Sequence, residues 1–169
     1  MAAPGNARFY GQEIAAWLRD LFYVHLTTEL GLASGRVMIG DMSAYTDAAI
    51  STHAPSVYIL AQNMRSEFAA TNAEYTNWYS YRILWIGKVT DGTAVETNRW
   101  KAQRIADVVT ANMTMQSPTV TGLLNAQGIV ARVTDIDYRP AEDEYVASVN
   151  ANLLCVAVQV SVCLFMWDL

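Results

Sequence analysis

Apolar residues along the chain recur first at helical spacing and later at every second position, and this change of period predicts the order of helices and strands. Residues 7–30 place apolar side chains on one stripe of a helix and polar side chains opposite. The stripe consists of Tyr10, Ile14, Trp17, Leu18, Leu21 and His25. We therefore predict an amphipathic packing helix that is stopped by Gly31 and Gly35.

Strand-like patterns follow in the first half of the chain. Residues 37–39 form a short apolar run, inside a stretch that we otherwise interpret as a loop or helical turn. Residues 56–61, behind Pro55, form a compact apolar run that favours a buried strand. Residues 78–89 alternate between apolar and polar positions and predict a long strand. The polar residues 63–76 between these two strands are predicted to be a connection.

A second helix is predicted to begin at Thr93, because Thr93 and Glu96 have the spacing of a capping box, and to end near Met115. Its apolar face comprises Val95, Ala102, Ile105, Ala106, Val109 and Met113. Trp100 lies on the opposite side of the helical wheel, with Glu96, Gln103 and Asp107. A tryptophan in that position is exposed unless something covers it.

The last third of the chain predicts two more strands, over residues 129–138 and 153–166, with an acidic loop between them. In the second of these strands, valines alternate with Ala157, Gln159 and Ser161, which indicates one buried face. The order of elements predicts an α+β fold, with a mostly antiparallel sheet packed against two main helices. The length of 169 residues suits a single domain spanning residues 1–169.

Composition bears first on the question of a membrane. Hydrophobic residues make up 53% of the chain and charged residues 16%. The longest apolar run, residues 153–167, is shorter than a spanning helix and contains Gln159 and Ser161. Residues 1–8 lack the pattern of a secretion signal. We therefore expect a soluble protein, made and kept in the cytoplasm of its producing cell and without a membrane partner.

The two cysteines are expected to remain thiols. Cys155 and Cys163 belong to one predicted strand, which places them roughly 26 Å apart, beyond the reach of a disulfide. The net charge of −5 argues against a protein that grips nucleic acid, since that binding depends on Lys and Arg at phosphates. If DNA meets this protein, we expect it to pass without specific binding.

The sequence contains no phosphate-binding loop, dinucleotide fingerprint, nucleophile elbow or zinc motif. We therefore expect no catalytic residue, no cofactor and no metal. His25, on the apolar stripe of the first helix, is interpreted as a core or interface histidine. His53 lies near Ser51 and Asp47, but such residues are common in loops and specify a nucleophilic site only weakly.

Five carboxylates are grouped within ten residues and are offset only by Arg139. The group consists of Asp135, Asp137, Glu142, Asp143 and Glu144. Several such oxygens can bind a divalent ion, but the spacing lacks the glycine turn of a calcium loop. A solvated acidic edge is the simplest interpretation. The alternative of most interest is an acidic face that lines a passage for DNA.

Three aromatic residues are hard to bury within one domain. Tyr23 lies on the polar side of the first helix, Trp100 on the polar side of the second, and Trp167 at the C-terminus. Exposed aromatic residues commonly mark protein interfaces. We therefore predict that these three residues contribute to an oligomeric interface.

The order of elements resembles the tail terminator, or tail completion, family of tailed bacteriophages. The features that carry the resemblance span nearly the whole chain: the N-terminal amphipathic helix, the strand after Pro55, the strand from Tyr79, the helix from Thr93 and the closing strand of alternating valines. The segments 63–76 and 140–151 have no clear place in that pattern.

This resemblance implies a structural virion protein, assembled in the host cytoplasm. Members of the tail terminator family form a ring, usually a hexamer, on the last ring of the tail tube. This ring ends tube polymerisation and offers a surface to the head connector or stopper protein. The partners implied are thus further copies of the chain, the tube protein and the connector, with DNA passing through the lumen. The alternatives are another ring-forming neck or tail-tube component, or a small oligomeric α+β enzyme whose site includes His53 or the acidic residues.

Overall fold

The computed structural model describes residues 10–40, 44–68, 75–89, 92–112, 129–139 and 152–166. These residues form three helices and five strands. In chain order the elements are α1 Tyr10–Leu30, β1 Val37–Ile39, α2 Asp47–His53, β2 Ser56–Phe68, β3 Tyr75–Lys88, α3 Gly92–Ala111, β4 Ile129–Arg139 and β5 Leu153–Met166.

The five strands make one mixed sheet in the order β1-β2-β3-β5-β4. Only the short pair β1 and β2 is parallel, and the other three pairs are antiparallel. The two long helices α1 and α3 pack their apolar stripes on one face of the sheet. The predicted α+β fold with a mostly antiparallel sheet and two main helices is therefore confirmed.

The first helix ends as its sequence predicts. Gly31 adopts a φ of 68°, a left-handed conformation that favours glycine. The amide of Leu32 donates to the carbonyl of Thr27 at 2.9 Å, and that of Gly31 to Thr28 at 3.4 Å. These two bonds form a Schellman motif, which satisfies carbonyls that the helix end would otherwise leave without partners.

The segment 63–76, predicted to be a connection, is mostly strand, so that prediction was wrong. β2 continues to Phe68 and pairs with β3 from Asn63↔Ser80 to Phe68↔Tyr75, after a bulge between Ala61 and Asn63. Residues 61–65 are exposed, in agreement with their mostly polar sequence. Backbone pairing with β3 holds this part of β2 in the sheet, together with side-chain contacts such as the bond from Gln159 Nε2 to Gln62 Oε1 at 2.7 Å, and apolar periodicity detects neither.

The last strand is buried on both faces over its first half, where one buried face was predicted. Val156 and Val158 join the core under the two long helices. Cys155 and Ala157 join a second cluster on the other face, together with Ile50 of α2. The short helix α2, within a stretch predicted as a loop or helical turn, provides this second layer. It begins after Thr46, whose hydroxyl accepts the amide of Ala49 at 3.2 Å.

The second long helix begins at Gly92 and ends at Ala111. Thr93 therefore lies inside the helix and does not cap it, so the predicted capping box at Thr93 was wrong. The predicted end near Met115 was also late, and Met113 lies outside the described residues. Of the predicted apolar face, Ala102, Ile105, Ala106 and Val109 are buried as expected.

Candidate functional site

Trp100 is the most exposed large apolar side chain in the described part of the chain. Its exposed fraction is 73%, which confirms the exposure predicted from the helical wheel. The indole stands at an open groove of about 880 Å³ between the C-terminal end of α1 and the outer side of α3. The groove is lined by Glu29, Leu30, Glu96, Thr97, Trp100, Lys101, Gln103, Arg104 and Asp107. We call it the Trp100 groove.

Charged contacts across the Trp100 groove link the two long helices. The Nε of Arg104 donates to Oε1 of Glu29 at 2.8 Å, although the two residues lie 75 positions apart in sequence. The Nζ of Lys101 donates to the carbonyl of Leu30 at 3.4 Å, at the end of α1 where the helix dipole favours a cation. Lys101 also lies 5.8 Å from the ring centroid of buried Trp85. These contacts fix the walls of the groove.

A buried asparagine anchors the helix beneath Trp100. Asn98 is 5% exposed and accepts a hydrogen bond from Nε1 of Trp85 at 3.0 Å. Its Nδ2 donates to the carbonyl of Lys88 at 2.9 Å. One amide thus satisfies a buried indole and a strand carbonyl, so the start of α3 is held against the end of β3. Gly87 makes room for it, because a Cβ there would overlap the Asn98 amide.

Tyr23, the second predicted interface residue, is 38% exposed and is bonded within its own subunit. Its hydroxyl donates to Oγ of Ser34 at 2.7 Å and accepts the amide of Gly35 at 3.2 Å. The ring therefore braces the turn between α1 and β1. Trp167, the third residue of that prediction, lies outside the described residues. Tyr23 and Trp100 are not part of one groove.

Two of the five acidic residues fall on β4. Asp135 is in register with Ser161 of β5 and Asp137 with Gln159, next to a bulge between Val133 and Asp135. On β5, Gln159 and Ser161 are half-buried. Gln159 and Ser161 lie on the face of β5 away from the two long helices, because the alternate residues Val156, Val158, Val160 and Val162 belong to the core beneath those helices. Glu142, Asp143 and Glu144 lie outside the described residues.

A second exposed surface lies at the far end of β2. β1 pairs only with Val57, Tyr58 and Ile59, so among the described residues no strand covers the outer edge of β2 beyond that point. Residues 61–65 are all exposed there, and Met64 is 59% exposed. The guanidinium of Arg65 lies 5.5 Å from the ring centroid of Trp78, its register partner on β3. We call residues 61–65 the β2 arm.

The two histidines differ in exposure, since His25 is exposed and His53 is half-buried. His25 is exposed, so a core role for it was wrong; Phe22 and Leu26 occupy the buried stripe instead. His53 closes α2, and Tyr45 makes edge contacts with His53 and with Tyr58 at 5.7 and 5.6 Å between ring centroids. His53 Nδ1, Ser56 Oγ and the Tyr58 hydroxyl are buried without a hydrogen-bond partner in the described part of the chain. Burial raises the pKa of the Tyr58 phenol.

The described ranges contain neither a metal cluster nor a membrane-spanning helix. Within them, no group of three or more His, Cys, Asp or Glu side chains could hold a metal ion. No helix in the same ranges is both long and apolar enough to cross a membrane. Cys155 and Cys163 are buried and form no disulfide, as predicted, and burial raises the pKa of the Cys163 thiol.

Sequence reasoning found Trp100 and its neighbours Glu96, Gln103 and Asp107 on the exposed side of α3, but it missed the contacts that join α3 to α1 at the groove. Neither Arg104 with Glu29 nor Lys101 with the Leu30 carbonyl has a sequence signal, because each contact joins residues more than 70 positions apart. Asn98 had a weak signal, being polar and one helical turn before Ala102 on the buried face. Met64 was missed because its segment was interpreted as a connection.

Comparison with models of known protein families gives no match, and comparison with curated proteins gives no relative.

Proposed function

We propose that this protein is a structural subunit of a closed ring at the head-proximal end of a phage tail tube. The ring ends polymerisation of the tube and joins the tail to the head connector. The order of elements supports the family part of this proposal, since the helices and strands occur in the order on which the resemblance to tail terminators is based. The proposal that the subunits assemble into a ring is supported by two exposed surfaces, the Trp100 groove and the β2 arm.

The observation that carries the assembly part is the exposure of Trp100. Burying roughly 150 Å² of indole surface contributes about 4 kcal/mol, so a subunit gains much by covering this side chain. Tryptophan is also among the residues that most often dominate binding energy at interfaces. The Trp100 indole projects from α3, and Asn98 fixes this helix to the sheet. Binding of a partner therefore requires little ordering of the helix that carries Trp100.

A ring has a further requirement that the molecule meets. Each subunit of a closed ring presents two different patches, because its contacts are head-to-tail. The Trp100 groove and the β2 arm are two such unlike surfaces. The net charge of −5 is compatible with a lumen that lets DNA pass, and Asp135 and Asp137 of β4 are the candidates for its acidic lining.

The first experiment is the mass of the purified protein by light scattering, with electron micrographs of the same sample. A hexameric ring has a mass of about 112 kDa, six times the 18.7 kDa chain, and shows an open channel. Trp100→Ala is expected to weaken each contact about 30-fold, the loss typical of an interface hot spot. Val24→Ala is the matched control, because Val24 is 52% exposed on α1 and does not line the groove.

A protein that stays monomeric at every concentration, alone and with tube ends present, contradicts the proposal. Adding the protein to polymerising tube protein distinguishes a terminator from a tube component. A terminator stops growth when present at about one ring per tube and remains at the tip, whereas a tube component is incorporated along the length. Binding to isolated connectors, with Trp100→Ala rings as the comparison, then tests the second partner.

An enzyme subunit is the second candidate, and the buried polar atoms of His53, Ser56 and Tyr58 are the observation that favours it. A serine acts as a nucleophile only with a base such as histidine within hydrogen-bond reach, and neither Ser56 Oγ nor His53 Nδ1 has such a partner in the described part of the chain, so this candidate requires the two to come together in the assembly. Release of p-nitrophenol from p-nitrophenyl acetate that is lost in both His53→Ala and Ser56→Ala, with assembly intact, would support this candidate. Asp135→Asn and Asp137→Asn test the acidic residues in the same assay.

A further inference from the structure

The two most exposed large apolar side chains in the described ranges are Trp100, at 73%, and Met64, at 59%. Each lies beside charged groups. Trp100 is accompanied by carboxylates on α3, and Met64 is followed by Arg65 on the β2 arm. Each of two separate surfaces thus combines an exposed apolar side chain with a charged one, which is the Asp107 carboxylate at the groove and the Arg65 guanidinium on the arm.

One carboxylate of the Trp100 groove favours a cationic occupant. The lining contains the carboxylates of Glu29, Glu96 and Asp107 and the cations of Lys101 and Arg104. Glu29 is paired with Arg104, and Glu96 with Arg99, which leaves Asp107. Asp107 lies two helical turns after Trp100 on the same exposed stripe and forms no ion pair with any described residue. An occupant that places an apolar group on the indole and a cation near Asp107 matches both features.

The β2 arm offers that combination. Met64 and Arg65 are consecutive, so they point to opposite faces of the strand. Because β1 stops at the level of Ile59, no strand of the described ranges covers the edge of the arm, and a surface that approaches this edge meets both side chains. Thioether sulfur and indole make favourable contacts, and a guanidinium pairs well with a carboxylate.

The arm cannot reach the groove of its own subunit. Arg65 is in register with Trp78, whereas Lys101 in the groove lies over Trp85 of the same strand. Seven residues of strand separate these two points, which is roughly 23 Å. Arg65 and Trp78 also lie on the face of the sheet away from α3. Any contact between arm and groove must therefore join two copies of the chain.

We propose that the β2 arm of one copy docks in the Trp100 groove of the next, with Met64 against the Trp100 indole and Arg65 beside the Asp107 carboxylate. The contact is head-to-tail, and repeated around an axis it closes into a ring. This inference rests on the proposed function for its ring, but it specifies which surfaces meet, and the two ideas can fail separately.

A charge exchange tests the pairing. Arg65→Asp alone and Asp107→Arg alone each place like charges at the contact and are expected to raise the concentration needed for ring formation about tenfold. The double variant restores the opposite pair and is expected to return to within about threefold of the original protein. Gln12→Arg, on an exposed position of α1 outside both surfaces, is the control for a simple change in net charge. Thermal unfolding of each variant checks that it is folded.

A mixing experiment tests the head-to-tail geometry. Trp100→Ala combined with Asp107→Arg destroys the groove and leaves the arm intact, and Met64→Ala combined with Arg65→Asp does the reverse. Each of these variants alone is expected to be monomeric. Mixed in equal amounts, they have one intact arm and one intact groove between them, so they should form a dimer of one copy each and no ring.

The outcomes separate the two proposals. Rings of the original protein that persist unchanged in both arm and groove variants overturn this inference and leave the ring itself standing. A double charge exchange that is no better than the worse single variant also overturns it. Failure of the original protein to form any ring, alone or on tube ends, overturns both.

Discussion

Asn98 provides a sharp test of how the Trp100 groove is held in place. Its amide oxygen accepts from Trp85 Nε1 at 3.0 Å and its amide nitrogen donates to the Lys88 carbonyl at 2.9 Å. Trp85 is fully buried. Replacement of Asn98 by alanine removes both bonds at once and leaves the indole N–H without this acceptor.

The expected loss follows from these two bonds. A buried polar group deprived of its partner costs about 1–3 kcal/mol, and two such groups are affected here. Alanine has the better helix propensity, which returns about 0.5 kcal/mol. The net destabilisation is therefore about 2–5 kcal/mol. At roughly 2–4 °C per kcal/mol for a chain of this size, the Tm should fall by about 4–20 °C.

Urea and thermal unfolding followed by circular dichroism measure this change. Gln103→Ala is the matched control, since Gln103 is exposed on the same helix, and its Tm should stay within about 2 °C. Asn98→Asp keeps an acceptor for Trp85 but replaces the donor to Lys88 with a second acceptor, so it should be at least as destabilising at pH 7 as Asn98→Ala. An Asn98→Ala protein as stable as Gln103→Ala would refute the reasoning.

Three further predictions follow from buried groups. Gly87→Ala should cost about 1–3 kcal/mol because its Cβ overlaps the Asn98 amide, and the cost should shrink in an Asn98→Ala background; equal costs in both backgrounds would contradict this. Tyr81 donates to the Gly11 carbonyl at 2.7 Å, and burial raises the pKa of its phenol above the ordinary value of about 10. The folded state therefore holds this proton more tightly than the unfolded chain. The protonated Tyr81 phenol stabilises the folded state fully below about pH 10, and this contribution declines as the pH rises further. Tyr81→Phe should therefore show a smaller fall in Tm between pH 9 and 11 than the original protein. Cys155 and Cys163 should react with a thiol reagent such as DTNB only after unfolding, because both are buried; two fast thiols in the native protein would be the contrary result.

Local periodicity was sufficient to predict most of the fold. The stripe of α1, the alternation of β3 and β5, and the run at the start of β2 are each properties of a few neighbouring residues, and each produced an element close to the expected bounds. The exposure of Trp100 followed from the same periodicity, since a helix of known phase assigns every residue to a side. The free thiol state of the two cysteines required only their separation along one strand.

Errors occurred where another part of the chain decides the outcome. The second half of β2 is polar and was interpreted as a connection, but β3 lies beside it and supplies backbone partners along its length. His25 fits the apolar stripe by its angle, yet Phe22 and Leu26 pack better against the sheet and leave the imidazole outside. In each case a long-range partner determined the result, and the local pattern contains no record of it.

The sequence by itself determined the order of the elements, the apolar stripes of both long helices and the position of an exposed tryptophan, because these depend on spacing along a helix or a strand. Only the tertiary structure decided that α2 covers the second face of the sheet, that Glu29 meets Arg104, and that the β2 arm and the Trp100 groove lie on separate surfaces. These relations join residues far apart in the chain. They arise from the strand order β1-β2-β3-β5-β4, which is set by packing and pairing of the whole chain at once.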